Sequence, residues 1–198
     1  MMGAVPPGRR FSILCVCTGN VCRSPAAERL LQRALGPTVA VRSAGTHALV
    51  GRPVDPPVAA LLTQAGADPS GFAARDLTAV DALAADLVLT LAREHRAAVV
   101  EVAPASVRRT FTLRELARIL GSVDPSELPG TEVSDRLRAA VPLAGSRRHR
   151  SHPAEDDVPD PFRGSPERHR RTFDEISTAV GTIARVVVPG VGPAQPLG

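Results

Sequence analysis

The stretch Phe11-Ser12-Ile13-Leu14-Cys15-Val16-Cys17-Thr18-Gly19-Asn20-Val21-Cys22-Arg23-Ser24-Pro25 carries the signals from which the fold can be read. Residues 11–17 are apolar apart from Ser12, and Thr18-Gly19-Asn20 ends the run, as expected of a short buried strand. Ser24 offers a helix N-cap and Pro25 a first helical position. Ala27, Leu30, Leu31 and Ala34 follow at helical spacing, and Gly36-Pro37 predicts the stop. A strand that passes through a short polar loop into a helix is the opening unit of a parallel α/β sheet.

The same rhythm continues outward. Residues 38–42 predict a second strand. Asp55-Pro56 repeats the cap-plus-proline signal ahead of Val58, Leu61, Leu62 and Ala65, with Gly66 closing that helix. Residues 86–91 and 107–111 predict two more strands, with a helix over 93–103 between them. Thr112-x-x-Glu115 is a capping box leading into Leu113, Leu116, Ile119 and Leu120. The last helix starts at Ser165-Pro166 and carries the stripe Phe173, Ile176, Val180, Ile183 and Val187. Strands alternating with helices predict an α/β fold with three α-β-α layers around a four-stranded parallel sheet. The 198 residues suit a single domain. Residues 121–157, rich in Pro, Ser, Gly and charge, predict a surface insertion, and the Pro/Gly-rich 189–198 a flexible tail.

Composition removes several function classes. All 24 basic residues are Arg, and the formal net charge is +4. With no Tyr or Trp for base stacking and no basic helix, nucleic-acid binding is not expected. Three cysteines within eight positions do not make a secreted disulfide scaffold, and no distant Cys is available to complete a four-ligand zinc site. No apolar run approaches a membrane span, and the first ten residues lack the apolar centre of a signal peptide. A cytoplasmic globular protein without membrane insertion is the expectation.

The loop after the first strand carries chemistry. Backbone N–H groups and the helix dipole at a strand-to-helix turn make an anion site, so this is a candidate phosphate loop. Gly19 and Asn20 tolerate the positive φ such a cradle needs. Arg23 supplies a planar fork for two phosphate oxygens. Cys17 stands where these donors converge, in electrostatics that favour a thiolate nucleophile, and Ser24 can donate a hydrogen bond to its sulfur. Cys15 reads as a small apolar residue facing into the sheet.

These residues resemble the signature loop of the low-molecular-weight protein tyrosine phosphatases. Ser43-Ala44-Gly45-Thr46 is similar to the turn after that family's second strand, and Asp160-Pro161-Phe162-Arg163 to its acid loop before the last helix. Ala48-Leu49-Val50-Gly51 resembles the bacterial branch associated with polysaccharide-export tyrosine kinases. The resemblance implies hydrolysis of phosphotyrosine on proteins through a phosphocysteine, with a bacterial tyrosine kinase as a candidate partner and neither cofactor nor metal. Cys17 is then the nucleophile, Arg23 the phosphate clamp and Asp160 the general acid and base. Thr18, Gly19, Asn20, Val21, Cys22, Arg23 and Ser24 cradle the phosphate, and Ser43, Leu49 and Phe162 support or wall the site. Cys22 is a candidate disulfide partner that would protect Cys17 from over-oxidation.

Departures and rivals accompany the resemblance. Phe162 stands where a Tyr is usual. Phe72 replaces a His that would bond the loop asparagine, so Asn20 is expected to lack one partner. Asp55, Asp68 and Asp124 also precede prolines, and Asp156 and Asp157 form an acidic cluster expected to raise the Asp160 pKa. Arsenate reduction coupled to thioredoxin needs a further cysteine pair, which the chain lacks after Cys22; the small-thiol-coupled kind remains an alternative. So does arginine phosphatase activity, although that branch carries Thr at the position of Val21. A non-catalytic phosphate-binding module is the alternative from another class. The basic groups at 147–150 and 168–171 are candidates for docking an acidic, phosphorylated protein.

Overall fold

The computed structural model describes residues 10–148 and 155–190. Four parallel strands form one sheet in the order β2-β1-β3-β4: β1 is Phe11–Cys17, β2 Val39–Gly45, β3 Leu87–Thr90 and β4 Thr110–Thr112. The helices are α1 (Arg23–Leu35), α2 (Pro56–Gln64), α3 (Ala79–Ala84), α4 (Arg93–Val102), α5 (Leu113–Gly121), α6 (Val133–Arg147) and α7 (Pro166–Val187).

Side-chain alternation along β1 divides the core between the two faces of the sheet. Ile13, Cys15 and Cys17 join Leu31, Leu62, Leu116 and the α7 stripe in the larger cluster. Leu14 and Val16 face the smaller one, with Val88, Ala82 of α3, and Val99 of α4. The three expected layers are present, and β1 is buried on both sides, as its near-continuous apolar run requires.

Local boundaries differ from the sequence reading in informative ways. Helix α1 begins at Arg23 with Cys22 at the N-cap position, two residues before the predicted start, and Ser24 lies inside it. Residues expected to open the fourth strand, Val107 to Arg109, instead belong to the 3-10 helix Pro104–Arg109. Ser106 stabilises that turn by donating to the Ala103 carbonyl, and the Thr110 hydroxyl donates to the Ser106 carbonyl. The Thr112–Glu115 capping box forms as predicted. Asp55 occupies the N-cap of α2, but its carboxylate makes no capping bond.

The surface character expected of 121–157 is corrected over much of that stretch. It contains α6, whose Leu137, Ala140 and Ala144 are buried in the main core, with Leu128 beside them. Arg136 ties the segment down, donating to the carbonyls of Pro125 and Leu128 and to that of Val186 near the end of α7. The apolar stripe of α6 is built mainly from alanines and interrupted by Pro142, so it barely registers in the sequence. The predicted tail falls outside the described residues from 191 onward, as does His149-Arg150 of the first basic group. No helix among the described residues is long and apolar enough to cross a membrane.

Candidate active site

Loop 18–22 wraps the C-terminal edge of β1, where ligands of parallel α/β sheets gather. Its shape is held from behind by β2 and the turn that follows. Thr46 N–H donates to the Cys17 carbonyl, His47 N–H to that of Thr18 and Leu49 N–H to that of Gly19. Gly45 is a steric requirement, because a Cβ there would collide with the Thr18 carbonyl oxygen. Asn20 carries the positive φ (53°) of the loop, which asparagine tolerates. Gly19 does not adopt a positive φ, contrary to expectation, and a Cβ there would make only ordinary contacts.

Cys17 is buried, with Sγ 2.9 Å from the Ser24 hydroxyl. The early start of α1 makes this contact: Ser24 serves the sulfur instead of capping the helix. Asn20 Nδ2 donates to Ser24 Oγ (2.9 Å) and Ser43 Oγ (2.8 Å), and its Oδ1 accepts from the Arg75 N–H. Asn20 therefore lacks no partner despite Phe72, which instead lies against Arg29. Ser43 in turn donates to Glu28 at 2.6 Å. Burial pushes the Glu28 carboxyl above its ordinary value.

Arg23 is 4% exposed and reaches three partners. Nη1 donates to the Val158 carbonyl, while Nη2 lies 3.4 Å from Thr18 Oγ1 and 2.8 Å from Asp160 Oδ2. Asp160 is half exposed and projects into a pocket of about 180 Å³ lined by Cys17, Thr18, Gly19, Val21, Cys22, Arg23, His47, Leu49 and Phe162. The segment before it is pinned to the sheet. Val158 N–H donates to Leu91, Thr172 Oγ1 donates to Pro159, and Asp156 and Asp157 pair with Arg118 and Arg93. The expected solvated acidic cluster is thus two separate ion pairs, and the Arg93 guanidinium helps hold the Asp157 carboxyl below its ordinary range against partial burial. Of the rival aspartates, Asp124 caps its own turn and Asp68 bonds Ser70. Asp55 N–H donates to the Val21 carbonyl of the loop, and its carboxylate lies 3.2 Å from His169.

Two histidines of this region escaped the sequence reading. His95 Nε2 lies 2.9 Å from the Thr18 hydroxyl, and burial lowers its pKa to about 4, with Arg23 adding to the effect. Its signal was position: the first turn of a helix leaving the C-terminal end of a strand. His169 has no comparable local signal. Cys22 is buried next to it, and burial, followed by the charge of Asp55, pushes the Cys22 thiol up. All three cysteines are free. The first basic group is structural where described: Arg148 stacks 4.0 Å over Phe111 and pairs with Glu115, and Arg147 pairs with Glu127.

A buried thiol at the foot of the pocket, an arginine fork beside it and a carboxyl on the rim suit attack on a bound phosphate ester. Comparison with known proteins agrees with that chemistry. Residues 12–124 match the family model of the low molecular weight phosphotyrosine protein phosphatases. The low molecular weight protein-tyrosine-phosphatase Etp of Escherichia coli K12 is 50% identical over 93 residues, which are 47% of this chain and 62% of the relative. The chain thus spans less than two thirds of that relative's length. Among solved structures, Vibrio vulnificus Wzb in complex with benzylphosphonate superposes with TM-score 0.66 at 25% identity, covering 89% of this chain and 99% of the other. The arginine phosphatase YwlE of Geobacillus stearothermophilus superposes with TM-score 0.65 at 28% identity, covering 88% and 91%.

Proposed function

We propose, from the premise that this chain belongs to the low molecular weight phosphotyrosine protein phosphatase family, that it hydrolyses phosphotyrosine on proteins through a phosphocysteine. The observation that carries the reading is the convergence of three groups on one pocket: Cys17 Sγ against Ser24, Arg23, and Asp160 within 2.8 Å of Arg23.

The substrate phosphoryl group lies in the loop, its oxygens held by backbone N–H groups of residues 18–24 and by the Arg23 fork. Cys17 attacks phosphorus in line. The P–O bond to the tyrosyl oxygen breaks, and the proton on Asp160 passes to that oxygen. Water then attacks the phosphocysteine, Asp160 takes its proton, and the P–S bond breaks to return the thiolate. Ser24 stabilises the sulfur each time it carries charge. Ser43 supports the loop through Asn20, and Leu49 and Phe162 wall the aryl ring at the pocket mouth.

A cysteine that must stay reduced belongs in a reducing compartment, so we assign the activity to the cytoplasm. The Ala48-Leu49-Val50-Gly51 segment supports a bacterial tyrosine kinase as the source of the phosphotyrosine. Similarity to YwlE makes phosphoarginine the second substrate to try, and Val21 disfavours it.

The deciding experiment compares wild type with Cys17→Ser on a phosphotyrosine peptide, a phosphoarginine peptide, and arsenate with a small thiol as reductant. The expected result is hydrolysis of phosphotyrosine only, abolished in the variant. Preference for phosphoarginine, reduction of arsenate, or binding of phosphate without turnover by folded wild type would each overturn the reading.

A further inference from the structure

Where the phosphate loop enters α1, three side chains from three distant parts of the chain meet. They are Cys22 at the N-cap position of α1, Asp55 at the N-cap position of α2, and His169 in the first turn of α7. One sulfur, one carboxylate oxygen and one ring nitrogen lie within 4.8 Å of one another. Cys22 and His169 are buried, and Asp55 is partly open. The proposed phosphatase mechanism leaves the Asp55 and His169 side chains without a task.

We propose that Cys22, Asp55 and His169 form a binding site for a zinc-class divalent transition-metal ion. The ligand types are those zinc takes, thiolate, carboxylate and imidazole. A tetrahedral centre with metal–N and metal–O bonds of about 2.1 Å separates adjacent ligand atoms by about 3.4 Å. His169 Nε2 and Asp55 Oδ2 are 3.2 Å apart.

Two further observations point to a ligand at this place. First, the Asp55 carboxylate forgoes the capping bond that its own helix offers and turns to the cluster. Second, His169 Nδ1 lies 3.0 Å from the Ser165 carbonyl oxygen, which only accepts. Nδ1 therefore carries a proton. When the ring is otherwise unprotonated, Nε2 presents a lone pair to the cluster, against a carboxylate that is also an acceptor. A cation between the two satisfies both, and a carbonyl on the far nitrogen is the usual second partner of a metal-bound histidine. The competing arrangement is an imidazolium donating to both neighbours, a simple latch.

Binding is balanced by one proton. The Cys22 S–H bond breaks, its proton goes to solvent, and the metal–sulfur bond forms. A divalent ion with one thiolate, one carboxylate and a neutral imidazole sums to zero charge, which suits a buried position. Access is available from two sides. Cys22 lines the substrate pocket, and His169 lines a separate cleft with Leu61, Gln64 and Pro166. The sequence offers no distant Cys to complete a zinc site, but this mixed set needs only one cysteine, with Asp55 and His169 supplied by the fold.

The test is titration of the full chain with Co²⁺ and then Zn²⁺, followed by absorption and by thermal melting. Wild type and Cys17→Ser are expected to bind one Co²⁺ with a thiolate-to-cobalt charge-transfer band, which Zn²⁺ bleaches while raising Tm. Cys22→Ala is expected to lose the band, and His169→Gln and Asp55→Asn to weaken binding at least tenfold. His169→Gln carries the test if Asp55→Asn fails to fold. A band that vanishes in Cys17→Ser and survives in His169→Gln would put the ion on the nucleophile and overturn the proposal. So would the absence of both band and Tm shift at sub-millimolar metal, which leaves the latch.

Discussion

Nε2 of His95 lies 2.9 Å from the Thr18 hydroxyl oxygen, to which Arg23 Nη2 also approaches at 3.4 Å. His95 Nδ1 is buried without a hydrogen-bond partner. A bare lone pair there costs less than a stranded N–H, so the proton sits on Nε2 and is donated to Thr18. With two donors already on its oxygen, Thr18 keeps its own hydroxyl proton for the pocket it lines.

The neutral state of His95 makes stability depend on pH. Its pKa falls from an ordinary 6.5 to about 4, through burial first and the Arg23 charge second, with Asp160 and Asp157 opposing. The unfolded chain therefore binds more protons between these values. The contribution of neutral His95 is full above about pH 6.5 and is lost as pH falls toward 4, by about 1.4 kcal/mol per pH unit within the window. Between pH 7 and 5, wild type should lose more stability than His95→Gln, measured by urea unfolding. Parallel losses in the two proteins would refute the assignment.

Asp160 lies 2.8 Å from Arg23 on the pocket rim, so it can reach a leaving oxygen bound beside that guanidinium. Asp160→Asn should lower kcat by about 10²–10³ on an unactivated aryl phosphate such as phenyl phosphate. The loss should be smaller on 4-nitrophenyl phosphate, whose leaving group needs no proton. Asp124→Asn, which alters only a local cap, should stay within about threefold of wild type. Equal losses on both substrates would remove Asp160 from the acid role.

Why some of this was legible in the sequence is a matter of interaction range. The β1 run, the Thr112–Glu115 box and the Ser165-Pro166 start are decided by neighbours within a few residues, and each formed where expected. Ser24-Pro25 has the same local signature as a cap. There the preceding loop already winds the backbone, the helix starts at Arg23, and the serine is released for Cys17. Val107 to Phe111 has strand-like residue types, but Pro104 and Ser106 close a 3-10 turn through most of it. Asn20 keeps three partners through Ser24, Ser43 and Arg75, the last 55 residues away. His95 against Thr18 and His169 against Asp55 are meetings that only tertiary structure makes.

Arg148 and Arg147 should behave differently although they are adjacent. Arg148 stacks over the buried Phe111 and faces the buried carboxylate of Glu115. Arg148→Met would leave Glu115 with its capping bond but without its cation, at a cost of about 1–3 kcal/mol. Arg147 makes a partly exposed pair with Glu127, and Arg147→Met should cost less than about 1 kcal/mol. Urea midpoints measure both. Docking of a phosphoprotein by this basic group predicts the reverse: unchanged stability, with a raised KM on the protein substrate.

Helix α6 provides the last prediction, because it decides whether residues 121–157 decorate the fold or complete it. Leu137 is 1% exposed within the main core, and Arg136 bridges the 125–128 turn to the end of α7 through three carbonyl oxygens. Leu137→Ala should cost about 2–5 kcal/mol by opening a cavity. Arg136→Met should also destabilise, by about 1–3 kcal/mol, because it strands buried acceptors in Leu128 and Val186. Neither residue lines the substrate pocket, so kcat per folded molecule on an aryl phosphate should stay near wild type in both. A detachable surface segment would instead give changes within about 0.5 kcal/mol for both substitutions.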